Sequence, residues 1–296
     1  MKLYDSAKTQ RATHYKPTVY IKSPAPNDAG DLTQNALYQR FMKHSRFGLI
    51  GHPIAHSLSP ALFRAGFDGK YPYELIETPD FEQAYARFLN GYDAINVTAP
   101  FKELAFAKAD ILSEECRNIK ATNLLVKTPD GVKAYNSDYL GVRMWLEEVR
   151  AEAEEDLKVL VVGMGGAGKA AAEAARSLGM DLTLMNRTVH DESIRPLDEF
   201  CSHFREADVI IYNIPAAIPE INNLTDNDFT PGKAKFILEA NYKDPSFDTS
   251  FIKRMTGTNP LARYSGGKTW LLYQAVTGYE IFTGERPDLQ KMSDVL

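Results

Sequence analysis

Residues 159–175 read VLVVGMGGAGKAAAEAA, and this stretch decides the fold class of the chain. An apolar run of strand length ends at Gly163, and an alanine-rich segment of helical composition follows Gly168. The G-x-G-x-x-G register between them is typical of the turn that joins a strand to a helix in a dinucleotide-binding fold. We expect Gly163 to allow the turn, Gly165 to admit a pyrophosphate, and Gly168 to let the helix pack closely on the strand. The predicted phosphate-binding loop comprises Gly163, Gly165, Gly166, Ala167 and Gly168.

The strand after this helix ends in the residues LMNRT at positions 184–188. A fold that binds NAD usually carries Asp or Glu near this point, where the acid binds the ribose 2′-hydroxyl. This chain has Arg187 instead, and arginine suits a 2′-phosphate because its guanidinium is planar and permanently charged. The sequence therefore predicts NADP as the cofactor, with Asn186, Arg187 and Thr188 as candidate contacts.

Strands and helices alternate in two series, which predicts an α/β fold of two domains with a cleft between them. The first series starts with FGLIG at residues 47–51 and predicts a mostly parallel α/β domain. The second starts at Lys158, after a highly charged helical segment, and predicts a Rossmann-type NADP-binding domain. A helix at 267–284 follows, and we expect it to pack back on the first domain. The predicted boundaries are 1–44 for an N-terminal extension that is partly disordered or packed on the surface, 45–140 plus 267–296 for the substrate-binding and catalytic domain, and 141–266 for the NADP-binding domain.

The composition is that of an ordinary soluble globular protein, with 44% hydrophobic and 25% charged residues among 296. A net charge of −5 offers no basic surface, so nucleic acid is not an expected partner. The N-terminus lacks the apolar core of a signal peptide, and no apolar run approaches the ~20 residues that span a bilayer. We therefore expect no membrane association and a cytoplasmic location, which two cysteines without a motif also suit. His52 and His56 have helical metal-ligand spacing, but Pro53 argues against one helix carrying both, and no zinc site is predicted.

A lysine stands at an unfavourable place in AINVTAPFKEL, residues 94–104. Proline is most favourable at the first position of a helix, so Pro100 is predicted to open one and to place Lys102 in its first turn. The helix dipole is positive there and disfavours an ammonium group by roughly 0.3–1 kcal/mol. Lys102 is therefore either exposed and tolerated, or present for its chemistry.

The segment AYNSDY at 134–139 precedes a further helix. Ser137 or Asp138 is expected to cap that helix. Asp138 is also a candidate partner for Lys102, because a neighbouring carboxylate restores and orients an ammonium group that the helix terminus disfavours. Such a pair can pass a proton while a hydride moves between a cofactor and a substrate carbon. Lys102 and Asp138 are therefore the predicted catalytic residues.

Two serines precede a predicted helix in HSLSPA, residues 56–61. Ser59 is expected to be the N-cap and Pro60 the first helical residue. In an extended approach the side chains of Ser57 and Ser59 face the same side. Two hydroxyls beside a helix N-terminus predict a site for a small anion such as a carboxylate.

Together these segments resemble the shikimate dehydrogenase family over about residues 46–284, with the motifs in the family's order. Residues 57–60 are similar to its S-x-S-P motif, whose serines hold the substrate carboxylate. Residues 96–102 are similar to N-V-T-x-P-x-K, and residues 136–138 to N-T-D, so the resemblance implies that Lys102 and Asp138 are the catalytic pair. It further implies substrate contacts at Ser57, Ser59, Thr98, Asn123, Tyr242 and Gln274, and cofactor contacts at the glycine loop, Asn186, Arg187, Thr188 and Gly267.

The resemblance implies the NADP-dependent, reversible reduction of 3-dehydroshikimate to shikimate, a step of aromatic amino-acid biosynthesis, by a monomer or homodimer. The chain departs from the family at three positions: Tyr139 replaces a glycine, Leu124 a threonine, and Trp270 a methionine near the nicotinamide. These departures leave two alternatives open, a quinate/shikimate paralogue with another substrate or NAD preference, and an inactive ligand sensor on the same fold. A methylenetetrahydrofolate dehydrogenase also pairs a lysine with a Rossmann domain, but the serine pair argues against it.

Overall fold

The computed structural model describes residues 45–153, 156–189 and 191–296. The N-terminal extension predicted at residues 1–44 lies outside the described residues. The described chain forms two six-stranded sheets, and helices pack against both, as predicted for an α/β fold. Within the described ranges, no helix combines the length and the apolar character that crossing a membrane requires.

The first sheet is mixed, with the strand order β2-β1-β3-β5-β6-β4. The strands β2, β1 and β3 pair in parallel and follow the predicted alternation of strands and helices, and β4 also pairs in parallel with β6. The antiparallel pairing of β3 with β5 and of β5 with β6 was not predicted. The elements of this part of the chain are β1 (Phe47–Gly51), α1 (Ser59–Gly66), β2 (Tyr73–Glu77), α2 (Phe81–Gly91), β3 (Ala94–Val97), α3 (Lys102–Lys108), β4 (Ile111–Leu112), α4 (Glu114–Ile119), β5 (Leu124–Thr128), β6 (Gly131–Tyr135) and α5 (Ser137–Ala153).

The second sheet is parallel throughout its recorded pairings, with the order β12-β11-β10-β7-β8-β9. Its elements are β7 (Lys158–Val162), α6 (Gly166–Ser177), β8 (Asp181–Met185), β9 (Ile194–Arg195), α7 (Phe200–Glu206), β10 (Val209–Tyr212), β11 (Lys235–Glu239), α8 (Thr249–Thr258), β12 (Ala262–Ser265), α9 (Gly267–Thr283) and α10 (Leu289–Asp294), with 3-10 turns at Leu197–Glu199, Pro219–Asn223 and Asp226–Phe229.

The central strand β7 shows why its sequence is apolar without alternation. Val159 and Val161 pack into one hydrophobic cluster, whereas Leu160 and Val162 pack into another. Successive strand residues point to opposite faces, and helices cover both faces of a parallel sheet. The run VLVV is therefore buried on both sides, as expected for a strand at the centre of a doubly covered sheet.

Helix α9 connects the cores of the two sheets. Val276, Tyr279 and Phe282 pack in one cluster with Phe47 of β1, as predicted for a helix that packs back on the first domain. Trp270, near its start, belongs instead to the cluster that contains β7. Helix α5 also packs along α9, and it runs through the boundary predicted between residues 140 and 141. The exact domain boundaries therefore stay a prediction.

Three predicted helix starts are wrong by one or two residues. Helix α3 begins at Lys102, because Phe101 N–H first closes a turn on the Thr98 carbonyl at 2.9 Å, which leaves Pro100 outside the helix. Helix α6 begins at Gly166 rather than Gly168. Helix α1 begins at Ser59, so Leu58 is its N-cap and the predicted Ser59 cap is wrong.

The predicted cap of helix α5 is also wrong. Ser137 and Asp138 both lie within the helix, and the side chain of Asn136 accepts the hydrogen bond from Tyr139 N–H at 3.1 Å. This is the bond that an N-cap side chain makes to the third helical residue. Because Asn136 caps the helix, the Asp138 carboxylate remains available for other contacts.

Candidate active site

A cavity of about 530 Å³ brings most of the predicted site residues together. It is lined from the first sheet and its helices, from the glycine-loop helix α6, and from α9. Both predicted catalytic residues and all six predicted substrate contacts line it. The predicted residues on its wall are Ser57, Ser59, Thr98, Lys102, Asn123, Asp138, Ala167, Tyr242, Gly267 and Gln274.

The start of α3 places Lys102 on the cavity wall. Thr98 N–H donates to the Ile50 carbonyl at 3.0 Å and continues the register of the sheet beyond β3. Phe101 is then buried against Phe81, with the ring centroids 5.4 Å apart. The next residue, Lys102, is the first of α3, and its side chain remains about one-third exposed. A buried aromatic anchor therefore fixes the backbone directly before the lysine.

Asp138 lies in the first turn of α5, where a negative charge is favoured by the helix dipole. The Asn123 side-chain oxygen accepts the Ser137 N–H at 2.7 Å and ties this helix start to the residue before β5. The next turn of α5 packs against α9, since a Cβ at Gly141 would lie 2.6 Å from Gln274 N. Glycine thus permits the close approach that brings α9 to Asp138.

Lys102 and Asp138 form an ion pair inside the cavity, with Nζ 2.8 Å from Oδ2. Burial by itself would raise the pKa of Asp138. The ammonium of Lys102 and hydrogen bonds from Lys102, Trp270 and Asn123 outweigh burial, so this pKa lies below its ordinary value. Asp138 is therefore ionised at neutral pH, which suits the predicted pair. The pairing itself, predicted from the sequence, is present.

Trp270 contacts Asp138 directly. Its indole Nε1 donates to Asp138 Oδ1 at 3.0 Å, and both residues are buried. In the sequence, Trp270 stands out only as a departure from the family near the nicotinamide. No sequence signal pointed to this contact, because Trp270 and Asp138 lie 132 positions apart on two different helices.

The two serines lie together at the start of α1, as predicted. The extended approach predicted for them is wrong, because Leu58 between them has φ −81° and ψ −9°, in the right-handed helical region. Ser57 Oγ donates to Ser59 Oγ at 3.2 Å, and Ser59 N–H donates back to Ser57 Oγ at 3.2 Å. The hydroxyl of Tyr279 holds this turn by donating to the Ser59 carbonyl at 3.1 Å. Burial raises the pKa of Tyr279, so its phenol stays neutral and keeps this donor. The serine pair is therefore supported by α9.

Several further residues on the cavity wall were not predicted. Asn96 lines it, and its side-chain oxygen accepts a hydrogen bond from the Tyr73 hydroxyl at 2.7 Å. His52 and His56 line it as well, although their spacing in the sequence relates only to metal ligands. Asn96 begins the motif at residues 96–102, and His56 directly precedes the motif at residues 57–60. Their position in or beside motifs with predicted substrate contacts is the sequence signal that could have identified them as cavity residues.

The glycine loop has the geometry predicted for it. Gly163 has φ +90°, a conformation that favours glycine, and its N–H donates to the Met185 carbonyl at 2.8 Å. A Cβ at Gly168 would lie 1.7 Å from the Gly163 carbonyl oxygen, so helix and strand approach as closely as expected. A Cβ at Gly165 or Gly166 would meet no atom within 4 Å, so this side of the loop faces open space.

The residues after β8 border this loop. Asn186 accepts a hydrogen bond from Met164 N–H at 3.2 Å and donates to the Thr188 carbonyl at 3.1 Å. Arg187 is exposed and lines a second cavity of about 520 Å³, which also includes Ile214 beside Gly163. The predicted cofactor residues thus lie near the carboxyl ends of strands in the second sheet. Ala167 and Gly267 belong to the first cavity, whereas Gly163, Gly165, Gly166, Gly168, Asn186, Arg187 and Thr188 are not part of its wall.

Two family profiles match adjoining parts of the chain. Residues 49–125 match the family described as the shikimate dehydrogenase substrate binding domain. Residues 124–235 match the family described as the D-isomer specific 2-hydroxyacid dehydrogenase, NAD binding domain. The first match covers the serine pair and Lys102, and the second covers Asp138 and the glycine loop.

Relatives match over most of the chain. An enzyme named shikimate dehydrogenase (NADP(+)) from Caldanaerobacter subterraneus subsp. tengcongensis is 30% identical over 263 residues, which cover 81% of this chain and 91% of the relative. The enzyme of the same name from Pyrococcus furiosus is 28% identical over 263 residues, covering 84% and 94%. The crystal structure of the shikimate 5-dehydrogenase from Thermus thermophilus in complex with NADP(H) and shikimate aligns with a TM-score of 0.69 at 26% identity, covering 85% of this chain and 98% of that one.

Proposed function

Because the chain belongs to the shikimate dehydrogenase family, we propose that it catalyses the NADP-dependent, reversible reduction of 3-dehydroshikimate to shikimate. The observation that carries the proposal is the 2.8 Å ion pair between Lys102 and Asp138. It lies in a cavity that is also lined by the serine pair and by Ala167, the second residue of the glycine-loop helix.

The substrate is a small ring acid, and the cavity offers groups for each of its parts. The hydroxyls of Ser57 and Ser59 bind its carboxylate at the start of α1. The ring hydroxyls face polar side chains that can donate and accept hydrogen bonds. These side chains are Thr98, Asn123, Tyr242 and Gln274.

Lys102 and Asp138 handle the proton of the reaction. In the reduction, the substrate carbonyl carbon gains a hydride and its oxygen gains a proton, which the Lys102 ammonium donates. In the reverse direction, the neutral amine of Lys102 takes the proton from the hydroxyl. Asp138 orients the lysine through the ion pair.

The glycine loop and the residues after β8 suit NADP. The open space beside Gly165 and the free N–H groups at the start of α6 leave room and donors for a pyrophosphate. Arg187 binds the 2′-phosphate, since it is exposed and carries a planar, permanent charge. Gly163, Gly166, Ala167, Gly168, Asn186, Thr188 and Gly267 complete the proposed cofactor site. When bound, the nicotinamide supplies or accepts the hydride.

We also propose the domain organisation, the cellular location and the oligomeric state of the enzyme. Its substrate domain comprises residues 45–140 and 267–296, its NADP-binding domain residues 141–266, and closure of the cleft between them excludes water. The protein acts in the cytoplasm as a monomer or homodimer. Cys116 and Cys201 carry free thiols, which supports a reducing compartment. The net charge of −5 supports a small-molecule substrate over a nucleic acid.

Neither alternative is favoured. A quinate-preferring paralogue that uses NAD does not explain an exposed arginine in place of the acid that binds a ribose 2′-hydroxyl. An inactive sensor has no need of a buried carboxylate that orients a lysine.

The test is to incubate the purified protein with shikimate and NADP⁺ and to follow the absorbance of NADPH. Quinate and NAD⁺ are tested in parallel. We expect shikimate-dependent reduction of NADP⁺ that falls by about 10²–10⁴ in Lys102→Ala, the range for loss of a general acid–base group.

Lys108→Ala is the matched control, because Lys108 is exposed at the other end of α3 and pairs with Glu82 instead. It should retain wild-type turnover. Activity with quinate or NAD⁺ alone would contradict the proposed substrate or cofactor. A folded protein that binds shikimate without turnover would contradict the catalytic proposal.

A further inference from the structure

We infer that Trp270 is a positioning residue of the active site, whose indole N–H fixes one carboxylate oxygen of Asp138 so that the other oxygen faces Lys102. The inference deepens the proposed function and rests on it, because Asp138 acts there through Lys102. It concerns the position at which this chain departs from the family's methionine.

The contact is short, buried and directional. Trp270 Nε1 lies 3.0 Å from Asp138 Oδ1, and Lys102 Nζ lies 2.8 Å from Asp138 Oδ2. Trp270 is 6% exposed and Asp138 5%, so water has little access to compete for either group. The carboxylate is therefore held at both oxygens, by a rigid ring on one side and by the flexible lysine on the other.

The position of Trp270 is fixed by its surroundings. Its backbone N–H donates to the Gly266 carbonyl at 3.4 Å at the start of α9, and its ring packs in the core beside Val142 and Trp145. Helices α5 and α9 approach closely where Gly141 of α5 meets Gln274 of α9. Gly141 lies three positions after Asp138, and Gln274 lies four positions after Trp270. Methionine offers no N–H donor at this place, since its thioether sulfur only accepts hydrogen bonds weakly.

An indole donor affects the charge of Asp138 as well as its orientation. The indole N–H can donate but cannot accept, so it stabilises the carboxylate over the protonated acid. The charged group that faces Asp138 in the described part of the chain is Lys102 on α3. Trp270 on α9 and Asn123, the residue before β5, donate hydrogen bonds to Asp138. Gln274 on α9, His52 and His56 line the same cavity. Removing the indole donor therefore raises the pKa of Asp138.

The matched control is Trp145, the only other tryptophan in the sequence. Trp145 is also buried in the same hydrophobic cluster. Its indole N–H donates to the neutral hydroxyl of Ser265 at 3.3 Å, instead of to a carboxylate. The two tryptophans therefore differ chiefly in the acceptor that each indole meets.

The first experiment needs no activity. In protein labelled with ¹⁵N at tryptophan, the two indole resonances are assigned with Trp145→Phe. We expect Asp138→Asn to move the Trp270 indole proton upfield and to leave that of Trp145 in place, since only Trp270 loses a charged acceptor. An unchanged Trp270 resonance would overturn the inference.

The second experiment measures the pH profile of kcat/KM with 3-dehydroshikimate and NADPH, the direction in which the Lys102 ammonium donates the proton and the ionised Asp138 orients it. We expect Trp270→Phe to lower kcat about 10- to 100-fold, as for a lost hydrogen bond to a charged group, with a smaller change in KM. The acid limb of the profile should move to higher pH, whereas Trp145→Phe should leave the limb at the wild-type position. An equal loss of activity at every pH would indicate a merely structural role and would overturn the inference. Absence of turnover in the wild type would overturn the proposed function, and the indole resonances would still decide the contact.

Discussion

The Asp138 side chain is 7% exposed, whereas that of its partner Lys102 is 32% exposed. The carboxylate is the fixed member of the pair, since Trp270 also holds it. The lysine, on a flexible stem, can turn toward a substrate oxygen without leaving the cavity. This asymmetry fits the roles proposed for the pair, in which Lys102 transfers the proton and Asp138 orients the lysine.

Asp138→Asn should therefore reduce turnover and change how the free energy of unfolding depends on pH. We expect kcat to fall about 10²–10⁴-fold, and the free energy of unfolding at pH 7 to fall by about 1–3 kcal/mol. The folded-state pKa of Asp138 lies below its ordinary value of 3.8, so its stabilising contribution is complete above that pH. It is lost as pH falls through the lower folded-state value. Urea unfolding of both proteins at pH 7 and below pH 3.8 measures the difference, which should shrink in acid.

Asp130→Asn provides the control, because Asp130 is exposed on the turn between β5 and β6. It should match the wild type in turnover and in unfolding at pH 7. A stability gap between wild type and Asp138→Asn that persists unchanged in acid would mean that the ion pair does not account for it.

Two glycines of the phosphate-binding loop should respond differently to alanine. A Cβ at Gly168 would lie 1.7 Å from the Gly163 carbonyl oxygen, so Gly168→Ala must push α6 away from β7 and should destabilise the fold by about 1–3 kcal/mol. A Cβ at Gly165 meets no protein atom, so Gly165→Ala should keep the wild-type melting temperature. Its methyl group points into the space proposed for the pyrophosphate and should weaken NADP⁺ binding. Thermal unfolding and calorimetric titration with NADP⁺ separate the two effects. Normal NADP⁺ affinity in Gly165→Ala would place the pyrophosphate elsewhere.

Arg187→Ala should change the choice of cofactor. Loss of the guanidinium removes a charged contact to the 2′-phosphate, so kcat/KM for NADP⁺ should fall about 10- to 100-fold. The value for NAD⁺, which lacks that phosphate, should change little. Arg176→Ala, an exposed arginine in the last turn of α6, should leave both values as they are. An equal loss of kcat/KM with both cofactors would show that Arg187 does not act by binding the 2′-phosphate.

The sequence predicts best where one short segment contains the whole reason for its structure. The glycine loop and the run before it specify β7 and the turn at Gly163, and the end of α9 is signalled by Gly284, which has φ +68°. The β5–β6 hairpin could also have been read from its turn, because Gly131 has φ +122° and follows Pro129 and Asp130. The predicted alternation of strands and helices does not include this hairpin.

Contacts between distant segments could not be predicted in the same way. Asn136, rather than Ser137 or Asp138, caps α5, and the neighbouring Ser137 N–H is taken by the side chain of Asn123. Three residues in a row have side chains that can cap a helix, so the sequence does not rank them. The ion pair of Lys102 with Asp138 was predicted from chemistry and resemblance. The Trp270 contact depends on how two helices cross, which neither propensity nor spacing specifies.

A buried lysine on β11 carries the last prediction, which concerns stability. Lys235 is fully buried, and its Nζ donates to the carbonyl oxygens of Phe204 and Ala207, each at 2.6 Å, and of Arg205 at 3.3 Å. These carbonyls lie at the C-terminal end of α7, where a helix lacks internal donors and its dipole is negative. Lys235→Met keeps an unbranched side chain one atom shorter but leaves the carbonyls unpaired, so we expect the free energy of unfolding to fall by about 2–4 kcal/mol. Lys108→Met, which removes an exposed ion pair to Glu82, should cost less than about 1 kcal/mol. Urea denaturation of the three proteins measures both values, and equal stability of the two variants would show that the three carbonyl contacts contribute little.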